Sequence, residues 1–185
     1  MTSYALSSNL AFCADWTVCP SGRGIFKEGT LSSDRTCSLC EYGKYTQAGI
    51  TNQTCQSWYN CLPGYRIDFE GSNMEDRTCA SCENGKFTNI QNQISCANWQ
   101  TCLPGTKINF PGSTSIDRTC TTCIAGKFTS IANEVNCQKC SSGRFGNITN
   151  ATSLSIGCPS LCPEGRYGNV EGSISVSESC QNVCS

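Results

Sequence analysis

The chain has 185 residues, of which 18 are Cys and none is His, and 13 basic against 14 acidic residues leave a net charge of −1. The commonest general base and metal ligand is therefore missing, and there is no basic patch of the kind that holds nucleic acid. Cysteine at this density marks a disulfide scaffold in an oxidising compartment, extracellular or at the cell surface.

The hydrophobic fraction is 38% even with the cysteines counted, below the usual range of about 45–50%. Apolar side chains this sparse predict stapling in place of a large core. No stretch approaches the ~18 apolar residues of a membrane span.

Residues 1–12 form an N-terminal extension without the basic and long apolar regions of a leader. Because the cysteines demand secretion, the expectation is a segment of a longer secreted chain, or a chain whose leader is not included. From Cys13 the sequence repeats, with a period of 41–42 residues from Cys13 to Cys55, Cys96 and Cys137. The repeats occupy 13–54, 55–95 and 96–136. Each holds a long unit (Cys19 to Cys37, Cys61 to Cys79, Cys102 to Cys120) with 17 residues between its cysteines. A shorter unit follows in each: Cys40 to Cys55, Cys82 to Cys96, Cys123 to Cys137. Two variant units, Cys140 to Cys158 and Cys162 to Cys180, fill 137–185 and lack the Asp-Arg-Thr-Cys ending.

Every unit opens with Cys-x-x-Gly, whose glycine permits a left-handed turn. The aromatic that follows in the shorter and variant units (Tyr45, Phe87, Phe128, Phe145 or Tyr167) is expected to cover the disulfide as a one-residue core. Ile67 and Phe69, like Ile108 and Phe110, alternate with polar residues at the period of a half-buried strand. No stretch shows sustained helical periodicity. The expected fold is small and disulfide-rich: an elongated tandem array of short β-hairpin and loop modules without a common hydrophobic core.

Sequence alone does not fix the pairing. The repeat constrains it, since each unit is most simply closed by its own ends: 19–37, 40–55, 61–79, 82–96, 102–120, 123–137, 140–158 and 162–180. Cys13 and Cys184 remain. Cys13 corresponds to the closing Cys of a shorter unit, and Cys184 to the opening Cys of a further one. Either their partners lie outside this chain, or Cys184 of one copy joins Cys13 of the next in a head-to-tail polymer.

The segment Cys13-Ala-Asp-Trp16-Thr-Val-Cys19, with Gly29-Thr30, Asp34-Arg35-Thr36-Cys37, Cys40, Gly43-Lys44-Tyr45-Thr46 and Cys55, resembles a tumour necrosis factor receptor cysteine-rich domain. The match recurs at Trp58, Asp76-Arg77-Thr78-Cys79 and Gly85-Lys86-Phe87-Thr88. It recurs again at Trp99, Asp117-Arg118-Thr119-Cys120 and Gly126-Lys127-Phe128-Thr129. The tail, 138–184, is more similar to the cysteine-rich repeats of ephrin-receptor ectodomains and of long protist and algal surface proteins. The resemblance implies a ladder of disulfide-stapled modules, paired within each module as above. The three repeats are more alike than the domains of such receptors are, which favours a spacer over a ligand-reading surface.

The Cys-x-x-Cys pairs at 37/40, 79/82, 120/123 and 137/140 could hold zinc, but the spacing drifts to three or five residues at equivalent junctions, which a metal site does not tolerate. A redox role lacks its βαβ context. The Asp-Arg pairs are expected to serve structure, with Asp in a turn and Arg over Trp16, Trp58 or Trp99. Asn52, Asn147 and Asn150 each head an Asn-x-Thr sequon and are candidate glycan carriers.

No nucleophile–base set is visible and no cofactor is expected. The reading is a non-enzymatic extracellular structural rod, a glycoprotein segment or subunit of a surface filament, stalk or matrix fibre, contacting copies of itself or flanking repeats. The alternative is a receptor-like ectodomain that binds a protein ligand.

Overall fold

The computed structural model describes residues 3–5, 13–47 and 54–184, with residues 3–5 and Cys13 described by backbone alone. Contacts gather the chain into two compact units: Met1–Cys82 with Thr88–Cys96, and Glu83–Phe87 with Ala97–Ser185. Among the described residues, eight disulfides run in tandem and each closes a loop on its own ends: Cys19–Cys37, Cys40–Cys55, Cys61–Cys79, Cys82–Cys96, Cys102–Cys120, Cys123–Cys137, Cys140–Cys158 and Cys162–Cys180. Each Cys-x-x-Cys pair thus contributes its two sulfurs to two different bonds.

Among the described residues the strands form two-stranded antiparallel pairs, with single parallel bridges at Arg66–Gln93 and Phe128–Ala151. In the long loops Arg23–Lys27 pairs with Thr36–Leu39, Tyr65–Phe69 with Thr78–Ser81, and Thr106–Phe110 with Thr119–Thr122. In the shorter loops the Lys-aromatic step pairs with residues just after the loop's closing Cys, as Lys127–Phe128 does with Gln138–Lys139. The tail repeats this with Arg144–Phe145 on Ser160–Leu161 and Arg166–Tyr167 on Asn182–Val183. Where the tail lacks Asp-Arg-Thr, single helical turns appear at Leu154–Gly157 and Val176–Ser179, each capped by a serine hydroxyl (Ser153, Ser175) on the third amide along.

The alternation of Ile67 and Phe69 predicts one buried face, yet Ile67 is buried and Phe69 is exposed. A bulge lies between them: Ile67 opposes Cys79 while Phe69 opposes Thr78. The extra residue re-aims the strand end. The same shift follows Ile25 and Ile108.

The interior consists of sulfur and threonine more than aromatic rings. Cys61, Cys102, Cys123, Cys140 and Cys158 are fully buried, as is Thr129; Thr46 and Thr88 are buried too. The Thr129 hydroxyl accepts from the Gly105 amide at 2.7 Å and donates to the Thr106 carbonyl at 3.2 Å. The aromatic that follows each Cys-x-x-Gly turn in the shorter and variant units covers less than expected, Phe128 apart. Tyr45, Phe87 and Phe145 are half-buried and Tyr167 is exposed. A two-stranded ribbon has no second layer to lay over them. Phe128 is buried because the tail supplies such a layer, clustering it with Ala151, Cys140 and Cys158. Gly157 closes over it so tightly that a Cβ there would stand 3.0 Å from the Phe128 Cβ.

Two backbone devices join loop to loop. The glycine carbonyl of each Cys-x-x-Gly holds the start of a following loop. Cys40, Cys82, Cys123, Cys140 and Cys162 donate their amides to Gly22, Gly64, Gly105, Gly126 and Gly143 at 2.8–2.9 Å. Trp58 and Trp99 do so to Gly43 and Gly85 at 2.8 Å, and Cys184 to Gly165 at 2.9 Å. The second device is a clamp. Asn92 and Asn133 sit in left-handed backbone, at φ 58° and 63°. Each donates its amide to the carbonyl of an opening cysteine, Cys61 or Cys102, and accepts that cysteine's amide on its side-chain oxygen, all at 2.8–3.0 Å. Asn150 and Gly172 keep the backbone half of the clamp, on Cys123 and Cys140.

Candidate functional site

The Trp, Gly, Asp and Arg of each repeat converge on one cluster. The guanidinium carbons of Arg35, Arg77 and Arg118 stand over the rings of Trp16, Trp58 and Trp99 at 5.2–5.3 Å. Each indole N–H donates to a backbone carbonyl of its long loop, that of Thr30, Ser72 or Ser113. The neighbouring glycine is squeezed: a Cβ on Gly112 would lie 2.9 Å from the Trp99 ring, and its φ is 89°. Asp76 and Asp117 accept the amides of Tyr59 and Gln100, the residues after each Trp, at 2.6–2.7 Å, and also the amide of the adjacent Arg. The Asp-Arg-Thr-Cys ending is therefore a structural motif that ties the Trp corner to the disulfide.

On this frame the second repeat departs from the other two. Tyr59 stands where the others have Thr17 and Gln100, and Tyr65 where they have Arg23 and Thr106. With Leu62, both tyrosines wall a groove of about 430 Å3 floored by Thr78 and Cys79 and edged by Arg77. Tyr59 is 58% exposed, Leu62 50% and Tyr65 46%. Arg77 is fixed on both sides, by the Trp58 ring and by Glu70 Oε1 at 2.7 Å. Tyr42 packs edge-on to Trp58 at 5.0 Å and donates to Glu70 at 3.2 Å. The result is a half-exposed aromatic and aliphatic surface on a rigid base, with one oriented guanidinium.

Tyr45 lies close by. Burial first, then the charge of Asp76 and its hydrogen bond, raises the Tyr45 phenol above its ordinary value of about 10.

The remaining candidates are dispersed. Among the described residues sixteen cysteines are closed in disulfides, while Cys184 is a free, exposed thiol. The backbone of Cys13 belongs to a strand paired with Ser3–Ala5. Asn52 lies outside the described residues. Asn147 is exposed. Asn150, three residues on, is held in the left-handed clamp turn at φ 56°. Sequence reasoning overlooked Tyr59 and Tyr65, although their signal was present as a break in an otherwise regular repeat. It also overlooked Asn92 and Asn133, whose signal was a fixed offset of ten residues from the opening Cys.

The eight tandem disulfides fit a tumour necrosis factor receptor-like repeat. No family model and no curated protein matches the chain. Among solved structures, a chain of the mouse RANKL–OPG complex is similar at a TM-score of 0.34 and 20% identity, over 71% of this chain and 96% of that one. A chain of the human RANKL/OPG complex is similar at a TM-score of 0.34 and 21% identity, over 80% of this chain and 92% of that one.

Proposed function

We propose that this chain is a non-enzymatic, extracellular, receptor-like binding module that takes a protein ligand on the face of its second long loop. The observation that carries this reading is the groove of Tyr59, Leu62, Tyr65 and Arg77, placed where the sister repeats have none of the tyrosines. Tyrosine and arginine on a pre-ordered base are the residue types that dominate binding energy at protein interfaces. Its modules are the repeat segments 13–54, 55–95 and 96–136, with the variant units in 137–185. Asn52, Asn147 and Asn150 are its proposed glycan carriers.

The test is a swap of the second repeat's face for that of the third, Tyr59→Gln with Tyr65→Thr. The secreted chain is screened against an array of extracellular proteins. A ligand captured by the parent and lost by the swap, with the melting curve unchanged, is the expected result. A ligand captured equally by both overturns the reading.

A second reading is favoured by one observation. The amide of Cys184 is seated on Gly165 as the opening cysteines are seated on their glycines. That supports a structural role, as a segment or subunit of a surface filament, stalk or matrix fibre in which loop follows loop by one rule. Covalent multimers on non-reducing gels, abolished by Cys184→Ser, would favour it over the binding module.

A further inference from the structure

The third repeat keeps the basic residues of the second and loses the acids that neutralise them. In the second repeat Arg66 pairs with Asp68 at 3.0 Å, Arg77 with Glu70 at 2.7 Å and Lys86 with Glu83 at 2.9 Å. The first repeat pairs Lys44 with Glu41 in the same way, at 3.2 Å. In the third repeat the bases are Lys107, Arg118 and Lys127, and the acid positions hold Asn109, Pro111 and Ile124. Arg118 turns to neutral acceptors, Asn133 Oδ1 at 2.7 Å and the Pro111 carbonyl at 3.4 Å.

Lys107 and Lys127 have no ion pair among the described residues. Together they line a cleft of about 270 Å3 with Thr122, Ile124, Asn136 and Cys137. Lys127 also stands opposite Lys139 across its strand pair, where like charges repel. Lys139 has a distant partner in Glu171, at 3.9 Å. Glu134, whose carbonyl accepts the Ile108 amide at 2.8 Å, makes no ion pair with either cleft lysine.

We propose that this cleft binds the anionic groups of an acidic polysaccharide, at a site separate from the tyrosine groove. Two ammonium groups on flexible stems attract sulfate or carboxylate without demanding one bidentate geometry. The Thr122 hydroxyl and Asn136 amide supply neutral donors and acceptors of the kind sugar hydroxyls need, and Ile124 offers an apolar edge to a ring face. The volume is below that of a typical small-molecule pocket, so the cleft takes one charged ring while the rest of the polymer lies outside. An acidic peptide would meet neither the aromatic nor the arginine anchors that peptide and protein faces use.

The experiment measures affinity for a defined heparin fragment by titration at low and high salt. The double variant Lys107→Gln, Lys127→Gln loses roughly fivefold or more in affinity, the effect of removing two surface charge contacts. Lys86→Gln, which removes an ion-paired lysine at the equivalent position, leaves affinity unchanged. Three outcomes overturn the proposal: an unaltered double variant, an equal loss in Lys86→Gln, or tighter binding of polyglutamate of matched charge than of heparin. The Tyr59 and Tyr65 swap leaves heparin affinity unaltered, so failure here and failure of the ligand-binding reading are read separately. A melting curve for the double variant excludes unfolding as the cause.

Discussion

Gly112 shows how one residue type can be demanded twice over. Its backbone is left-handed, and the space a Cβ would take is filled by the Trp99 ring. Gly85 is equally left-handed but has nothing within 4 Å of a Cβ. Gly85→Ala therefore costs only the backbone conformation, about 1 kcal/mol. Gly112→Ala additionally displaces a ring held by Arg118 and by the Ser113 carbonyl, and costs up to about 3 kcal/mol. Urea titration of the two variants measures the difference. Tyr45 makes a second prediction at this scale. Its folded value is raised, so the neutral phenol is the form the fold favours. The stability it contributes is complete below its unfolded value near 10 and is lost as pH rises through the folded value. Stability measured across that alkaline range falls, and Tyr45→Phe shows a shallower fall.

The hairpin was the element most legible in advance, because Cys-x-x-Gly and a short alternating stretch encode it within some twenty residues. The bulge was not. Ile67 and Phe69 obey period two in sequence, and only the shifted pairing with Cys79 and Thr78 sends Phe69 to solvent. The clamp is one of the two devices that join the loops, and it can be dissected at Asn133. Asn133→Gly keeps access to left-handed backbone and loses the bond to the Cys102 amide. Asn133→Ala loses both. The expected order of stability is parent, then Gly, then Ala, with the Ala variant down by about 1–3 kcal/mol. Hydrogen exchange at the Cys102 amide, faster in both variants, checks that the clamp is the cause.

At the scale of the molecule, cystine supplies most of the buried apolar matter among the described residues. Closing one loop of about 15 residues contributes about 3 kcal/mol in the chain-entropy model, and cysteines are most of the buried apolar residues among those described. Reduction under native conditions is therefore expected to unfold the described loops, which would appear as lost near-ultraviolet dichroism and rapid proteolysis. With disulfides intact, urea unfolding of loops that each contact mainly their neighbours is expected to be broad or stepped. A single sharp transition would argue against modules of this kind.

The spacing of 14 to 18 residues between bonded cysteines is short. Closure is thus a local event whose register is written into the repeat, and this is why a small disulfide-rich fold of short hairpins in tandem was legible in residue order. The two candidate surfaces span similar lengths of chain but have no such covalent mark in the sequence. Tyr59 and Tyr65 meet Arg77 because the long hairpin folds its closing strand back under its opening one. Lys107 and Lys127 meet because one loop docks on the next through Gly105, Asn133 and Thr129. Such contacts cross about as many residues as the disulfides do, but no repeated cysteine marks them, and packing is what places a chemically ordinary tyrosine or lysine in a groove.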